Sequence, residues 1–505
     1  MSTDIANEPE VIDADEDAFD SQTEPQNPFV AIPPIGRQLI LTVIAAYAAL
    51  VTLVPIFRAW EGGSGFVAIG LCNLLYVGAL ALPIFFWRKE YGWVHPLVFT
   101  SLYTLVNVVL RRTGLFLAGM PEHSMLPELD GDSLNYLFAY GNLVEACAAG
   151  AIFTGFHCGP KWRGISVRSN EPAAHSFWIV MGSAILVSLV AYYLYIGNFG
   201  GLNTHLLNLS RGSGSKLGLE GEDEAFGQYI FFIKMAAVVG LIVIARSRGA
   251  LSNPLVWPIC VYGIAIGYMV NGKRSALINC ALLFGVAWIL RNRRVAYLRV
   301  VSLGVACFFL LGLLGLYRWA NWSRTDTVSL DFLSELSTQS LTESTLDELS
   351  SRSGEDATYY PLLARVPREV PMLWGKTYLE WGLNFIPRAL WPDKPRGVDV
   401  QAARAFNNVE WGMPAGAAGE AYWNFLLPGV LGVFFVFGSF LRWLGATVLR
   451  NPDSTVAITL YAIALFYFDP TQNGFRATIY AIVPAVLLFA IAGYFRRPRA
   501  ELIKE

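Results

Sequence analysis

Apolar residues in this chain fall in blocks of about twenty, and a helix of that length crosses the roughly 30 Å hydrocarbon core of a bilayer. The blocks lie near residues 37–57, 66–87, 94–110, 134–156, 177–196, 227–245, 254–270, 275–290, 299–319, 421–441, 455–470 and 476–495. Lipid offers no partner for an unpaired backbone N–H or C=O, so each block is expected to be a helix. Composition agrees, with 54% hydrophobic and 15% charged residues, against a charged share of about a quarter in soluble proteins. The pattern predicts an all-α polytopic integral membrane protein with about twelve transmembrane helices and one large extracytoplasmic loop.

Basic residues near the helix ends give the direction of threading. With the N-terminus inside, every inner loop is basic. The inner set comprises Arg88 and Lys89, then Lys161, Arg163 and Arg168, then Arg246 and Arg248. Arg291, Arg293, Arg294 and Arg299 follow, then Arg442 and Arg450, and last Arg496, Arg497, Arg499 and Lys504. Residues 1–35 form an acidic tail, expected to be cytoplasmic and disordered, with nine Asp and Glu before the first basic residue, Arg37. Residues 36–319 carry helices 1–9, residues 320–420 the outer loop, residues 421–495 helices 10–12, and residues 496–505 a basic cytoplasmic tail. No cationic stretch opens the chain, so a cleavable signal peptide is not expected. The six cysteines lie in or beside apolar blocks without a CxxC, which suggests neither a disulfide framework nor a metal site.

Cations on the outer side oppose this bias and need a reason. They are Arg111 and Arg112, Arg211 and Lys216, Lys273 and Arg274 in the turn N-G-K-R-S, a cluster from Arg352 to Arg404, and Arg476. A charge at a helix end near lipid either serves a site or snorkels to phosphates. The strongest cluster is N-F-I-P-R-A-L-W-P-D-K-P-R-G, residues 384–397, which holds Arg388, Lys394 and Arg396 beside Trp391. Pro387, Pro392 and Pro395 forbid a continuous helix there. Such a stiff loop suits an anionic group at the membrane surface, or else caps the bundle with its charges solvated. Residues 324–358 are rich in Ser, Thr, Asp and Glu, with a helical hint over Ser334–Leu349. Residues 359–397 carry Tyr359, Tyr360, Trp374, Tyr378, Trp381 and Trp391, expected at the outer leaflet as an interfacial belt or as stacking surfaces for sugar rings. Glu420 follows Gly412, Gly416 and Gly419 and precedes Tyr422 and Trp423. It reads as a general base or as a helix N-terminal carboxylate stabilised by the dipole. Asp469 and Arg476, bracketing the last outer turn, read as an ion pair.

The chain has no P-loop or dinucleotide fingerprint. It has no HExxH or nucleophile elbow either, and no DxD-type acidic pair in the large outer loop 320–420. The expectation is metal-independent, cofactor-free chemistry on a substrate already attached to lipid, with no nucleic-acid partner.

Three strings carry a family resemblance: G-K-R-S-A-L at 272–277, G-K-T-Y-L-E…F-I-P-R-A-L-W-P-D-K-P at 375–395, and G-A-A-G-E-A-Y-W-N-F at 416–425. In this order, with one large outer loop, they resemble the Wzy-type O-antigen or exopolysaccharide repeat-unit polymerases, over about residues 270–430. The resemblance implies a GT-C-like glycosyltransferase on the outer face of the bacterial cytoplasmic membrane. It would polymerise undecaprenyl-diphosphate-linked oligosaccharide units into O-antigen, capsule or exopolysaccharide, beside a chain-length regulator and a flippase. On that reading Arg274 and Arg388 stabilise the leaving diphosphate. Lys273, Lys394 and Arg396, with Trp391, Tyr378 and Tyr422, hold diphosphate or glycan. Glu420 is the base, with Glu380 in reserve. The alternatives are an O-antigen ligase, a transporter or flippase for lipid-linked sugars, and a non-catalytic scaffold of an envelope assembly. Residues 320–420 contain no histidine, which weighs against the ligase.

Overall fold

The structure is a computed structural model. It describes residues 27–495 apart from 111, 120–125, 168, 199, 212–226, 273–274, 325–326, 335, 351–355, 384–390, 392–394 and 410–411. The described residues are helical with no strand, as a chain buried in lipid requires. In order, the α-helices are α1 (Pro34–Gly62), α2 (Gly65–Phe85), α3 (Pro96–Thr104), α4 (Thr113–Ala118), α5 (Gly131–Cys158), α6 (Ala174–Asn198), α7 (Leu202–Arg211), α8 (Gly227–Arg246) and α9 (Val256–Asn271). There follow α10 (Ser275–Asn292), α11 (Tyr297–Asn321), α12 (Thr338–Ser350), α13 (Asp356–Arg365), α14 (Lys376–Leu379), α15 (Val398–Ala402), α16 (Gly416–Arg450), α17 (Thr455–Tyr467) and α18 (Gln472–Ala492).

Each apolar block of the sequence coincides with an apolar helix. Among the described residues eight are long enough to cross a membrane: α1, α2, α5, α6, α8, α11, α16 and α18. Four are shorter, at Pro96–Val109, Val256–Val270, Ala276–Asn292 and Thr455–Tyr467. Local chemistry fixes several starts. Pro34 and Pro96 occupy first-turn positions, where the missing N–H costs nothing. Asp130 accepts from Ser133 N at 2.7 Å and Thr471 from Gly474 N at 2.8 Å, satisfying first-turn donors of α5 and α18.

Two apolar cores organise the helices. One joins α1, α2, α5, α13 and α16 from Ala418 to Leu441. The other joins α6, α8, α10, α17 and α18 with Leu444 and Val448 near the end of α16. α16 therefore belongs to both. It crosses α5 at very close range: a Cβ on Gly155 would meet Phe435 O, one on Gly438 would meet Ile152 O, and Ser439 Oγ donates to Gly155 O at 3.1 Å. Small residues at a crossing let backbones touch where lipid gives no hydrophobic drive to association. Polar links add to it. Asn142 Nδ2 donates to Asn73 Oδ1 at 2.9 Å, and Asn73 Nδ2 to Val51 O at 2.6 Å, tying α5, α2 and α1.

The loops segregate to two ends. At the basic end Asn27 Nδ2 donates to Glu90 O at 2.7 Å, Arg450 Nη1 to Gly164 O at 2.7 Å, and Asn170 N to Tyr494 O at 2.9 Å. Here Arg248 and Arg293 both bind Asp453, at 3.2 and 3.0 Å. Of the acidic tail expected to be disordered over 1–35, residues 27–35 are built into the bundle, and Phe29 is wholly buried. Residues 1–26 and 496–505 lie outside the described residues.

At the other end the 320–420 segment is worked into the bundle. α12 matches the helical hint and lies along α11, with Thr345 Oγ1 donating to Phe308 O at 3.1 Å. Tyr359 and Tyr360, expected at the outer leaflet, are in the core. Tyr359 OH donates to Gly141 O at 3.0 Å, and Gly141 leaves α5 without the side chain that would exclude the rings. Trp374, by contrast, is exposed as expected of an interfacial residue.

The α5–α16 crossing gives a prediction. Gly438→Val lowers unfolding stability in detergent by on the order of 1–3 kcal/mol or more, because the helices must part. Gly432→Ala, where a Cβ meets nothing within 4 Å, is neutral or stabilising. Denaturant titration of purified protein reads both, and equal stability of the two variants contradicts the crossing.

Candidate functional site

α16 is not one helix. At Phe425 and Leu426 the backbone leaves helical geometry, with φ 56° at Leu426, and Pro428 follows. Proline supplies no N–H and its ring clashes with the carbonyl four residues back, here Asn424. The break frees a short segment, Gly416–Asn424, to point its side chains into the loop end. Asn424 fixes it: its Nδ2 donates to Glu420 O and Thr377 Oγ1, both at 2.8 Å, and its Oδ1 accepts from Gly375 N at 2.9 Å.

Glu420 is carried on this segment and is 2% exposed. Both carboxylate oxygens accept from Gln472 N, at 3.2 and 3.1 Å, and the Thr377 hydroxyl reaches the same carboxylate. Of the two roles the sequence leaves open, dipole stabilisation is therefore present, but from the N-terminus of α18 rather than from Glu420's own helix. The Gln472 side chain then joins three strands of chain. Its Nε2 donates to Glu380 Oε2 at 3.0 Å, and its Oε1 accepts from Val398 N at 2.7 Å. Gln401 Nε2 lies 3.4 Å from the same Glu380 oxygen. Asp469 completes the acidic group, bonded to Thr471 Oγ1 and lying where a Cβ on Gly474 would fall.

Around these carboxylates are aromatic groups with polar edges. Trp381 stacks on Phe475 at 4.9 Å and meets Tyr378 edge-on at 5.3 Å. Among the described residues, Tyr378 OH, Trp381 Nε1 and Glu380 Oε1 are buried with no hydrogen-bond partner. Burial, then Glu420 and Asp469, hold the Tyr378 hydroxyl well above its ordinary pKa, so it remains a neutral donor. Buried donors without partners are costly; here they sit together beside three carboxylates, as a site for a polar ligand would.

A second polar group lies deeper. Arg112 is 5% exposed, with Nη2 at 2.8 Å from Asp356 Oδ1, Nη1 at 3.8 Å from Glu145 Oε1, and its guanidinium 5.8 Å from the Tyr359 ring. Burial opposes its charge, but Asp356, Tyr360 and Glu145 outweigh that and hold its pKa above the ordinary value. Just before it, Leu105–Val109 forms a π-helical turn, a feature often found at functional sites. Arg112, Glu145, Asn107, Asn279 and Asp469 line a cavity of about 440 Å³ between the helices. Asp469 lies at both groups.

The structure treats the sequence candidates unequally. It brings Glu420, Glu380 and Tyr378 together. Arg274, Lys273, Arg388 and Lys394 lie outside the described residues. Arg396 is exposed and its carbonyl accepts from Gln401 Nε2 at 2.6 Å, while Trp391 is half-buried. Tyr422 turns from the carboxylates and accepts from Tyr140 OH of α5 at 3.2 Å. Among the described residues no ion pair joins Asp469 to Arg476, whose guanidinium lies 5.6 Å from the Tyr480 ring. Gln472, Asp469 and Glu145 carry no motif. Arg112 had a signal, its position against the charge bias, but no indication of its partners. Comparison with models of protein families, with characterised proteins and with solved structures gives no match.

The Arg112 charge group yields a prediction. Arg112→Met removes the guanidinium 2.8 Å from the buried Asp356 and costs about 3–5 kcal/mol of stability. Replacing Arg112, Asp356 and Glu145 together by apolar residues of similar size restores most of it. Unfolding measurements on the single and triple variants check this; a harmless Arg112→Met contradicts the pairing.

Proposed function

We propose that the chain is an integral membrane glycosyltransferase that joins lipid-diphosphate-linked oligosaccharide units into a polysaccharide. The reading takes twelve spans, a GT-C-like layout, cytoplasmic termini and a site on the outer face of a bacterial cytoplasmic membrane. One observation carries it. The proline- and cation-rich string 384–397 leaves from Glu380 and returns at Val398, and both are held by the side chain of Gln472, whose backbone N–H binds Glu420. Whatever path the string takes, its ends are anchored at a buried carboxylate. A carboxylate paired with cations on one loop is what transfer from a lipid diphosphate needs.

In this mechanism the acceptor sugar hydroxyl attacks the anomeric carbon of the donor and gives its proton to Glu420, with Glu380 the alternative acceptor. The bond from that carbon to the phosphate oxygen breaks, and the lipid diphosphate leaves with the electron pair. Arg388, Arg274, Lys273, Lys394 and Arg396 stabilise that charge. Trp391 and Tyr378 supply faces and a hydroxyl for the glycan, whereas Tyr422, turned towards α5, acts on the segment rather than on substrate. A chain-length regulator and a flippase are partners on the same reading.

A second reading, a carrier for lipid-linked sugars, is favoured by the 440 Å³ cavity between the helices, which Arg112, Glu145 and Asp469 line. The test uses purified protein in lipid nanodiscs with lipid-diphosphate-linked repeat units, sizing the products on a gel. Glu420→Gln keeps an oxygen for Gln472 N but cannot take the proton, and it lowers polymerisation by about 10²–10⁴ with unfolding stability little changed. Full activity of that variant would falsify the assignment of the base. Wild-type protein that lengthens no chain but moves the substrate across liposomes supports the carrier.

A further inference from the structure

Among the described residues the basic end carries more cations than it uses. Lys89, Lys161, Arg163, Arg294, Arg299 and Arg450 are exposed, and no described carboxylate pairs with any of them. The carboxylates of that end are already engaged. Glu90 lies 3.8 Å from Arg88, Glu171 lies 3.7 Å from Arg246, and Asp453 holds Arg248 and Arg293. All six cations belong to this one end. Arg450 donates to Gly164 O beside Lys161 and Arg163. Arg294 follows the Asp453-bound Arg293, and Arg299 lies two residues from Tyr297, whose hydroxyl accepts from Trp93 Nε1 at 3.2 Å.

The described chain begins at the same end. Asn27 binds Glu90 O, Phe29 is wholly buried, and Trp93 N donates to Val30 O at 3.1 Å. Residues 1–26 contain nine carboxylates and no Lys or Arg. They can reach at most about 90 Å when fully extended, enough to cover the whole face. Attached there, their carboxylates stand at an effective concentration on the order of millimolar.

We propose that residues 1–26 dock on the basic end of their own molecule, their carboxylates facing Lys89, Lys161, Arg163, Arg294, Arg299 and Arg450. The occupant is this segment rather than anionic lipid because it is covalently placed, is opposite in charge, and meets a face whose own acids are spent. Trp162 and Ile165, about half exposed between these cations, give the segment's apolar residues a surface as well. The inference does not depend on the enzymatic reading, nor on which side of a membrane this end faces.

The test is a photo-crosslinking amino acid in place of Phe19 in the full chain, in nanodiscs of zwitterionic or of anionic phospholipid. In both, crosslinks are expected to the segments around Lys89, Lys161–Arg163, Arg294–Arg299 and Arg450. Raising salt from about 0.1 M to about 1 M shortens the Debye length from about 10 Å to about 3 Å and is expected to lower the yield about ten-fold. Combined Asp13→Asn, Asp15→Asn, Glu16→Gln, Asp17→Asn and Asp20→Asn has a similar effect without changing the fold. Yields indifferent to both changes overturn the proposal. Crosslinks chiefly to phospholipid overturn it too, and assign the face to the membrane.

Discussion

Two helices cannot come closer than their side chains allow, and this bundle is set by the place where that limit is removed. Gly155 on α5 and Gly438 on α16 bring backbone against backbone, and Ser439 adds a hydrogen bond across the contact. Since α16 also reaches into the second core through Leu444 and Val448, the crossing fixes both halves relative to each other. Its other consequence lies beyond the break at Phe425 and Leu426. The long part of α16 is held so firmly that the Gly416–Asn424 segment can depart from its axis while Glu420 keeps a defined position.

Gln472 does for the loops what that crossing does for the helices. A single side chain with one donor group and one acceptor reaches Glu380 on one side and Val398 on the other. Its own N–H serves Glu420. A catalytic group is useful only if its supports hold it to a fraction of an ångström, and loops seldom manage this alone. Here the supports are the rigid N-terminus of α18 and the Asn424–Thr377 pair. Among the described residues Tyr378 OH and Trp381 Nε1 have no hydrogen-bond partner, so this frame holds spare polarity beside the carboxylates.

The helices were legible because the bilayer makes demands on every residue of a spanning segment, so even Pro96–Val109, a short stretch broken by a π-turn, left an apolar block. α12 was legible too, as the helical hint over Ser334–Leu349. The 359–397 segment was not, since aromatic residues read alike whether they meet lipid headgroups or a core. What buries Tyr359 and Tyr360 is Gly141, more than two hundred positions away, and no local pattern announces such a pairing. Glu420 stood out by its setting among glycines, yet the donor that holds it comes from Gln472, which has no motif. The candidates drawn from charge in turns, Arg274 and Arg388 above all, lie outside the described residues.

Arg112 shows why charge against the insertion bias is informative and also where that information ends. The sequence reveals the cost, a cation where positive charge is disfavoured, but a cost names no partner. In the fold, Asp356 comes from the long 320–420 segment and Glu145 from the middle of α5, so the ion pair depends on that segment being worked into the bundle. The dependence runs both ways: α13 can lie against α5 only if Asp356 finds a cation there, because an unpaired buried carboxylate is costlier than the packing it would accompany. Arg112 thereby links the helices to the loop that closes over Glu420. Asp469, present both at the cavity it lines and among the site carboxylates, is the residue that the two polar groups share.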